Sequence, residues 1–274
     1  MQSTYLLALE TSGKAGSVAL IASNITTDLP TLNNDDSIPH CVDSVELDAN
    51  HGSAKTLAPA IDELLQRNSI SPDAIQAIAV TQGPGSFTGL RVGIATAKVM
   101  AYALNIPVIP INTLDVIAEQ LDEAQLIAPQ TESLFCAIDA FRGQSFFAHY
   151  RRGNQKWDAP QGTEIADNDR LSMSILNTIP NDPNAQFDSV WIAGPSIGKL
   201  LHSLSDLPHP PPQNAIRIFQ GPEAIPTAKM VGILGWQAWK QGKTQDPFAL
   251  LPLYYRSSAA EEKRAQPSSK GYNP

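Results

Sequence analysis

Short apolar runs of period two alternate along this chain with apolar stripes at helical spacing. "YLLALETS" and "GSVALIA", joined through Gly13-Lys14-Ala15, predict a β-hairpin over residues 5–22. Residues 24–49 are polar and rich in Asn, Asp and Pro, which predicts a loop ending in a third strand near "SVELDA". In "HGSAKTLAPAIDELLQRN", Leu57, Ile61, Leu64 and Leu65 fall on one helical face, and Pro59 marks either the first turn or a kink. "AIQAIAVTQG" reads as a strand. The run "TQGPGSFTGLRVGIATAKVMAYAL" (81–104) reads as a glycine loop that opens a long helix of small residues. "IPVIPIN" and "TLDVIAEQL" predict a strand and a helix. "SLFCAIDAFRGQSFFAHYRRG" predicts two strands around Arg142-Gly143. "DSVWIAGPSIGKLLHSL" predicts a strand, a Gly-Pro turn and a helix. "HPPPQN" breaks structure, "GPEAIPTAKMVGILGWQAWKQGK" predicts a late helix, and the polar tail after Arg256 predicts no fixed structure. This alternation implies an α/β protein with two sheet-bearing lobes, and the hairpin at 134–150 echoes the one at 5–22.

Composition narrows the function classes. The chain has 274 residues, 42% of them hydrophobic and 17% charged, which is ordinary for a globular protein that buries a sizeable core. A net charge of -8 leaves no overall basic footprint for nucleic acid. No apolar run of ~18 residues suggests a membrane span, and the first residues lack a basic secretory leader, so a cytoplasmic protein is expected. Cys41 and Cys136 suit buried reduced thiols better than a disulfide framework or a zinc site.

The glycine loop invites comparison with phosphate-binding motifs. A P-loop needs a terminal Gly-Lys-Ser/Thr, which "GPGSFTGLR" lacks. Gly83, Gly85 and Gly89 miss the dinucleotide G-x-G-x-x-G spacing by one residue and follow a later strand, not the first. An anion site at the helix start and a tight structural turn both remain open, with Ser86 or Thr88 as the N-cap. The helix is apolar nearly all round, with only Arg91 and Lys98 charged, so it is expected to be covered on two sides. Gly89, Gly93 and Ala97 place a small residue at every fourth position. Spacing alone fits either close approach to a partner helix or a central helix within its own lobe.

Catalytic constellations are sparse. His51 is followed four residues later by Lys55, so no His pair at metal spacing stands there, and no nucleophile elbow occurs. Glu10 and Asp139 end or follow apolar strands, where active carboxylates can sit. The turn Glu10-Thr11-Ser12 could touch phosphate, or it could be plain turn structure.

Five segments carry a resemblance: "LLALETSGKAGSVAL", "HGSAKTLAPAIDELL", "IAVTQGPGSFTGLRVGIATAKVMAYALNIPVIPINTLDVIA", "AIDAFRGQSFFAHY" and "LLPLYYRSSAAEEK". Together they resemble the TsaB (YeaZ) family, once labelled glycoprotease-like (M22). The resemblance implies an actin-like ATPase fold (the ASKHA fold) with two lobes of ribonuclease H type. The lobes would comprise 1–108, joined by the helix at about 223–241, and 109–256, with 257–274 as a tail. It also implies a non-catalytic partner of TsaD, acting with TsaE, that forms N6-threonylcarbamoyladenosine at position 37 of tRNAs reading ANN codons. On that view this subunit has no activity alone, and TsaD holds the metal and meets the tRNA for the most part. An exposed apolar face could also pair with its own copy about a two-fold axis when TsaD is absent. The family's contact is a helix bundle. Transferred here, the interface would use Leu57, Ile61, Gly89, Val92, Gly93, Thr96, Ala97 and Met100. Nucleotide (ATP or ADP) would meet Glu10, Thr11, Ser12 and Gly194, in the assembled complex or in the alternative of a stand-alone actin-fold ATPase. Where the family commonly has Asp at the end of the first strand, this chain has Glu10. Residues 24–46, the Pro-rich 208–212 and the tail look like additions.

Overall fold

The computed structural model describes residues 4–23, 38–129, 131–153, 156–179, 189–195, 197–207 and 214–255. Most of the 24–46 insertion, the 208–212 run and the tail lie outside the described residues. Two sheets organise the chain. The first is built from β1 (Thr4–Glu10), β2 (Ser17–Ser23), β3 (His40–Glu46), β4 (Ile75–Gly83) and β5 (Val108–Asn112), in the order β3-β2-β1-β4-β5. β1, β2 and β3 pair antiparallel, and β4 and β5 add in parallel beyond β1. The third strand starts earlier than "SVELDA" suggests.

The second sheet repeats this plan. β6 (Ser133–Asp139) and β7 (Gln144–Gly153) form the antiparallel hairpin, and β10 (Val190–Ala193) and β11 (Ile216–Phe219) add in parallel beyond β6. β8 (Lys156–Asp158) and β9 (Glu164–Asp167) pair with β7. In each half a Gly-Pro turn then leads to a helix: α2 (Phe87–Leu104) after β4, and α5 (Gly198–Ser205) after β10. The boundary expected after residue 108 falls at the start of β5, which pairs with β4 in the first sheet.

Alternation on β1 explains why its run is apolar throughout. Leu7 and Leu9 point into one core with α2 and α1 (Ser53–Arg67), while Leu6 and Ala8 point into another with α6 (Ala228–Lys240). A strand buried on both faces cannot show the polar-apolar alternation of a half-exposed one. β6 behaves alike: Phe135 and Ala137 face α4 (Asn168–Leu176) and α5, and Leu134 and Cys136 face α3 (Thr113–Glu123). α4, β8, β9 and β11 are short, and the sequence pattern does not announce them. Pro59 sits inside α1, not in its first turn.

α6 lies close on the first sheet because both surfaces are small. Ala8, Ala19, Ala77 and Ala79 line the sheet face, and Gly232 and Gly235 line the helix. A Cβ on Gly232 would overlap the Ile21 side chain, and one on Gly235 would overlap Ala79. Gly232→Leu is therefore expected to lower stability by about 1–3 kcal/mol through overpacking, read as a lower denaturant midpoint at unchanged m-value.

Candidate functional site

The β1–β2 turn and the glycine loop are locked together. Ser86 caps α2, its hydroxyl accepting from the Gly89 amide at 3.2 Å. The Ser86 amide in turn donates to the Ser12 carbonyl at 2.6 Å. A Cβ on Gly85 would collide with Ser12, one on Gly89 with the Thr11 carbonyl, and one on Gly93 with the Thr11 hydroxyl. Glycine is needed here so that α2 can touch the turn backbone. Glu10, Thr11 and Ser12 are consequently all buried.

Glu10 sits in an uncharged, enclosed setting. Its Oε1 accepts from the Ser12 amide at 2.7 Å and from the Ser12 hydroxyl, while Oε2 has no partner among the described residues. Burial pushes its pKa up to about 7, against the opposing pull of the Ser12 and Thr81 groups. The Thr11 amide donates to the Thr81 hydroxyl at 3.3 Å, and the Thr11 hydroxyl is buried without a partner. The expected phosphate-facing turn is thus covered by its own loop and helix.

The second half differs. Asp139, at the end of β6, accepts from the Phe141 amide at 2.9 Å and pairs with the Lys199 ammonium at 2.9 Å. Gly194 packs against the Ala137 carbonyl so closely that no side chain fits. Its role is close backbone contact beneath the Gly-Pro turn. His51 is exposed and bonded to Asp48 at 2.6 Å.

The expected interface residues divide. Leu57, Ile61 and Ala97 are buried in the first core, and Gly89 and Gly93 face Thr11. The small-residue stripe therefore serves approach to the chain's own turn, because that stripe is the face of α2 turned to the sheet. Val92, Thr96 and Met100 are half-buried beside the outer face. Sequence spacing missed that outer face itself: Thr88, Ala95, Val99, Tyr102 and Ala103 are exposed, Val99 by 69%. A C-terminal strap borders it. Lys98 donates to the carbonyls of Phe248 and Leu250, and Arg91 donates to the Tyr254 hydroxyl at 2.8 Å. The Arg91 guanidinium also lies 3.7 Å from the Phe87 ring centre. Both cations of α2 are thereby engaged within the chain, and Phe248, Leu251 and Tyr254 stand exposed beside the helix. The long-range pairing of 91 with 254 has no signal in local periodicity.

Two sheets of repeated topology, each carrying a strand-end carboxylate and a Gly-Pro helix start, define an α/β protein of the actin-like ATPase fold. The family model "TsaD: tRNA N6-adenosine threonylcarbamoyltransferase" matches residues 47–190, more than half of the chain. A Haemophilus influenzae protein named tRNA threonylcarbamoyladenosine biosynthesis protein TsaB is 28% identical over 96% of this chain and 98% of its own length. The Escherichia coli protein of that name is 25% identical over 76% of this chain and 82% of its own. The solved structure of YeaZ from Pseudomonas aeruginosa superposes with a TM-score of 0.67 at 23% identity, covering 92% of this chain and 99% of that one. The chain belongs to this threonylcarbamoyltransferase family, in its TsaB (YeaZ) branch.

Glu10 yields a stability prediction. Its pKa is raised in the folded state, so the stability it contributes is complete below its ordinary value of 4.5 and is lost as pH rises through about 7. At about 1.36 kcal/mol per unit the loss is on the order of 3 kcal/mol. Glu10→Gln, a neutral isostere, is expected to flatten that decline in chemical denaturation measured across this window. An equally steep decline in the variant would remove the assignment. Gly93→Arg, in contrast, is expected to abolish soluble folded protein, because the side chain would occupy the place of Thr11.

Proposed function

We propose that this chain is the non-catalytic partner subunit of a TsaD-type transferase, in the cytoplasmic complex that forms N6-threonylcarbamoyladenosine at position 37 of tRNAs reading ANN codons. The observation that carries this reading is the outer face of α2, where Ala95, Val99 and Tyr102 are exposed and both helix cations are engaged by the strap. An apolar face without free charge is suited to covering by another protein. The buried state of Glu10, Thr11 and Ser12 supports a supporting role over a nucleotide-turnover role for this lobe. The net charge of -8 favours a partner that supplies most tRNA phosphate contacts. TsaE and nucleotide belong to the assembled complex on this reading, and a homodimer through the same face would compete with the heterodimer.

Size-exclusion chromatography with light scattering, on this chain alone and mixed with the transferase chain of the same genome, tests the reading. A one-to-one complex is expected. Val99→Glu is expected to weaken it at least about a hundredfold, by placing a charge in a desolvated contact, while leaving the fold intact. Unchanged affinity in Val99→Glu would move the interface elsewhere. Failure of the unaltered chains to associate would overturn the partner role.

A further inference from the structure

The Glu10 carboxyl is joined to the docking face by a short, fully traced connection. Oε1 holds the Ser12 amide and hydroxyl. The Ser12 carbonyl holds the Ser86 amide, and the Ser86 hydroxyl holds the Gly89 amide in the first turn of α2. No slack exists along this path, because Gly85, Gly89 and Gly93 already touch Ser12 and Thr11. The carboxyl is also incompletely satisfied: Oε2 and the neighbouring Thr11 hydroxyl are both buried without partners among the described residues. A proton on Oε2 would supply a donor where none exists.

We propose that protonation of Glu10 controls the seating of α2: protonated, the uncharged carboxyl stays beneath the glycine loop with α2 seated on the turn; ionised, it draws the loop open to water and loosens the helix start. The inference rests on the reading of α2 as the docking face, since it makes partner affinity depend on pH. The setting supports it, because burial moves this carboxyl to about 7, where modest pH changes alter its charge. The groups that act on it are all uncharged: Ser12 from its own turn and Thr81 from β4. Gly16 and Leu47 pack nearby and carry no charge. Charged residues on the adjoining elements are directed elsewhere. Lys14 and Glu46 are exposed, Arg91 binds Tyr254, and Asp48 binds His51.

Amide hydrogen exchange on the full chain tests this, with rates normalised to the intrinsic rate at each pH. Protection of the Ser86 and Gly89 amides is expected to fall roughly tenfold per pH unit as pH rises toward about 7, because the opened, water-exposed carboxyl ionises more readily than the buried one. Glu10→Gln is expected to abolish that transition. Ser12→Ala, which removes a donor to the carboxylate, is expected to keep a transition but move its midpoint upward. A transition that persists in Glu10→Gln, or a Ser12→Ala midpoint that does not move, overturns the proposal, as does pH-independent protection in the unaltered chain. A parallel titration of binding to the transferase chain separates the two readings. PH-dependent protection without binding at any pH leaves the switch standing and removes the partner role. Binding whose affinity ignores pH while protection changes removes the coupling of the proton to docking.

Discussion

The contact of α2 with the β1–β2 turn is the constraint on which the first lobe depends. Glycines at 85, 89 and 93 let the start of α2 rest directly on Thr11 and Ser12. Three consequences follow from that one approach. The turn residues become buried, the Glu10 carboxyl is cut off from water, and Val99 and Tyr102 of α2 are left on its outer face. The burial of the turn and the exposure of the outer face of α2 are two sides of the same placement.

The repeated topology of the two halves makes their difference informative. Each half brings a carboxylate to the end of its first strand and a Gly-Pro turn beside it. In the first half the carboxylate is covered and served by hydroxyl and amide groups, with its charge disfavoured. In the second it is paired with the Lys199 ammonium. One plan has thus met the cost of a buried or half-buried carboxylate in two ways, by neutral hydrogen-bond donors and by a counter-ion.

The fold was readable wherever pattern and period are local. The hairpins, the two main strand-to-helix turns and the apolar helix all follow from spacing, and the doubling of the hairpin pointed to two lobes. The short elements after residue 154 were not readable, because three or four residues of strand carry too little periodicity. The glycine stripe was readable as a close-approach surface but not as to what approaches it. Sequence spacing fixes which residues share a face; it is silent on whether that face meets a turn 80 residues earlier or another molecule. The strap was missed for the same reason: the bond between Arg91 and Tyr254 spans 163 positions.

The first lobe is closed by residues from the far end of the chain. α6 and the strap, both beyond residue 227, supply one of its two cores and the border of its outer face. During synthesis the strands of this lobe leave the ribosome long before those pieces exist. At ordinary rates of about 5–20 residues per second, roughly ten seconds or more separate the emergence of α2 from that of its strap. For that interval the sheet is bare on one side and the two cations of the helix lack their strap hydrogen-bond partners. The outer face of α2 therefore gains its border only once the chain beyond residue 250 has been made, so any docking that needs the strap must wait for it.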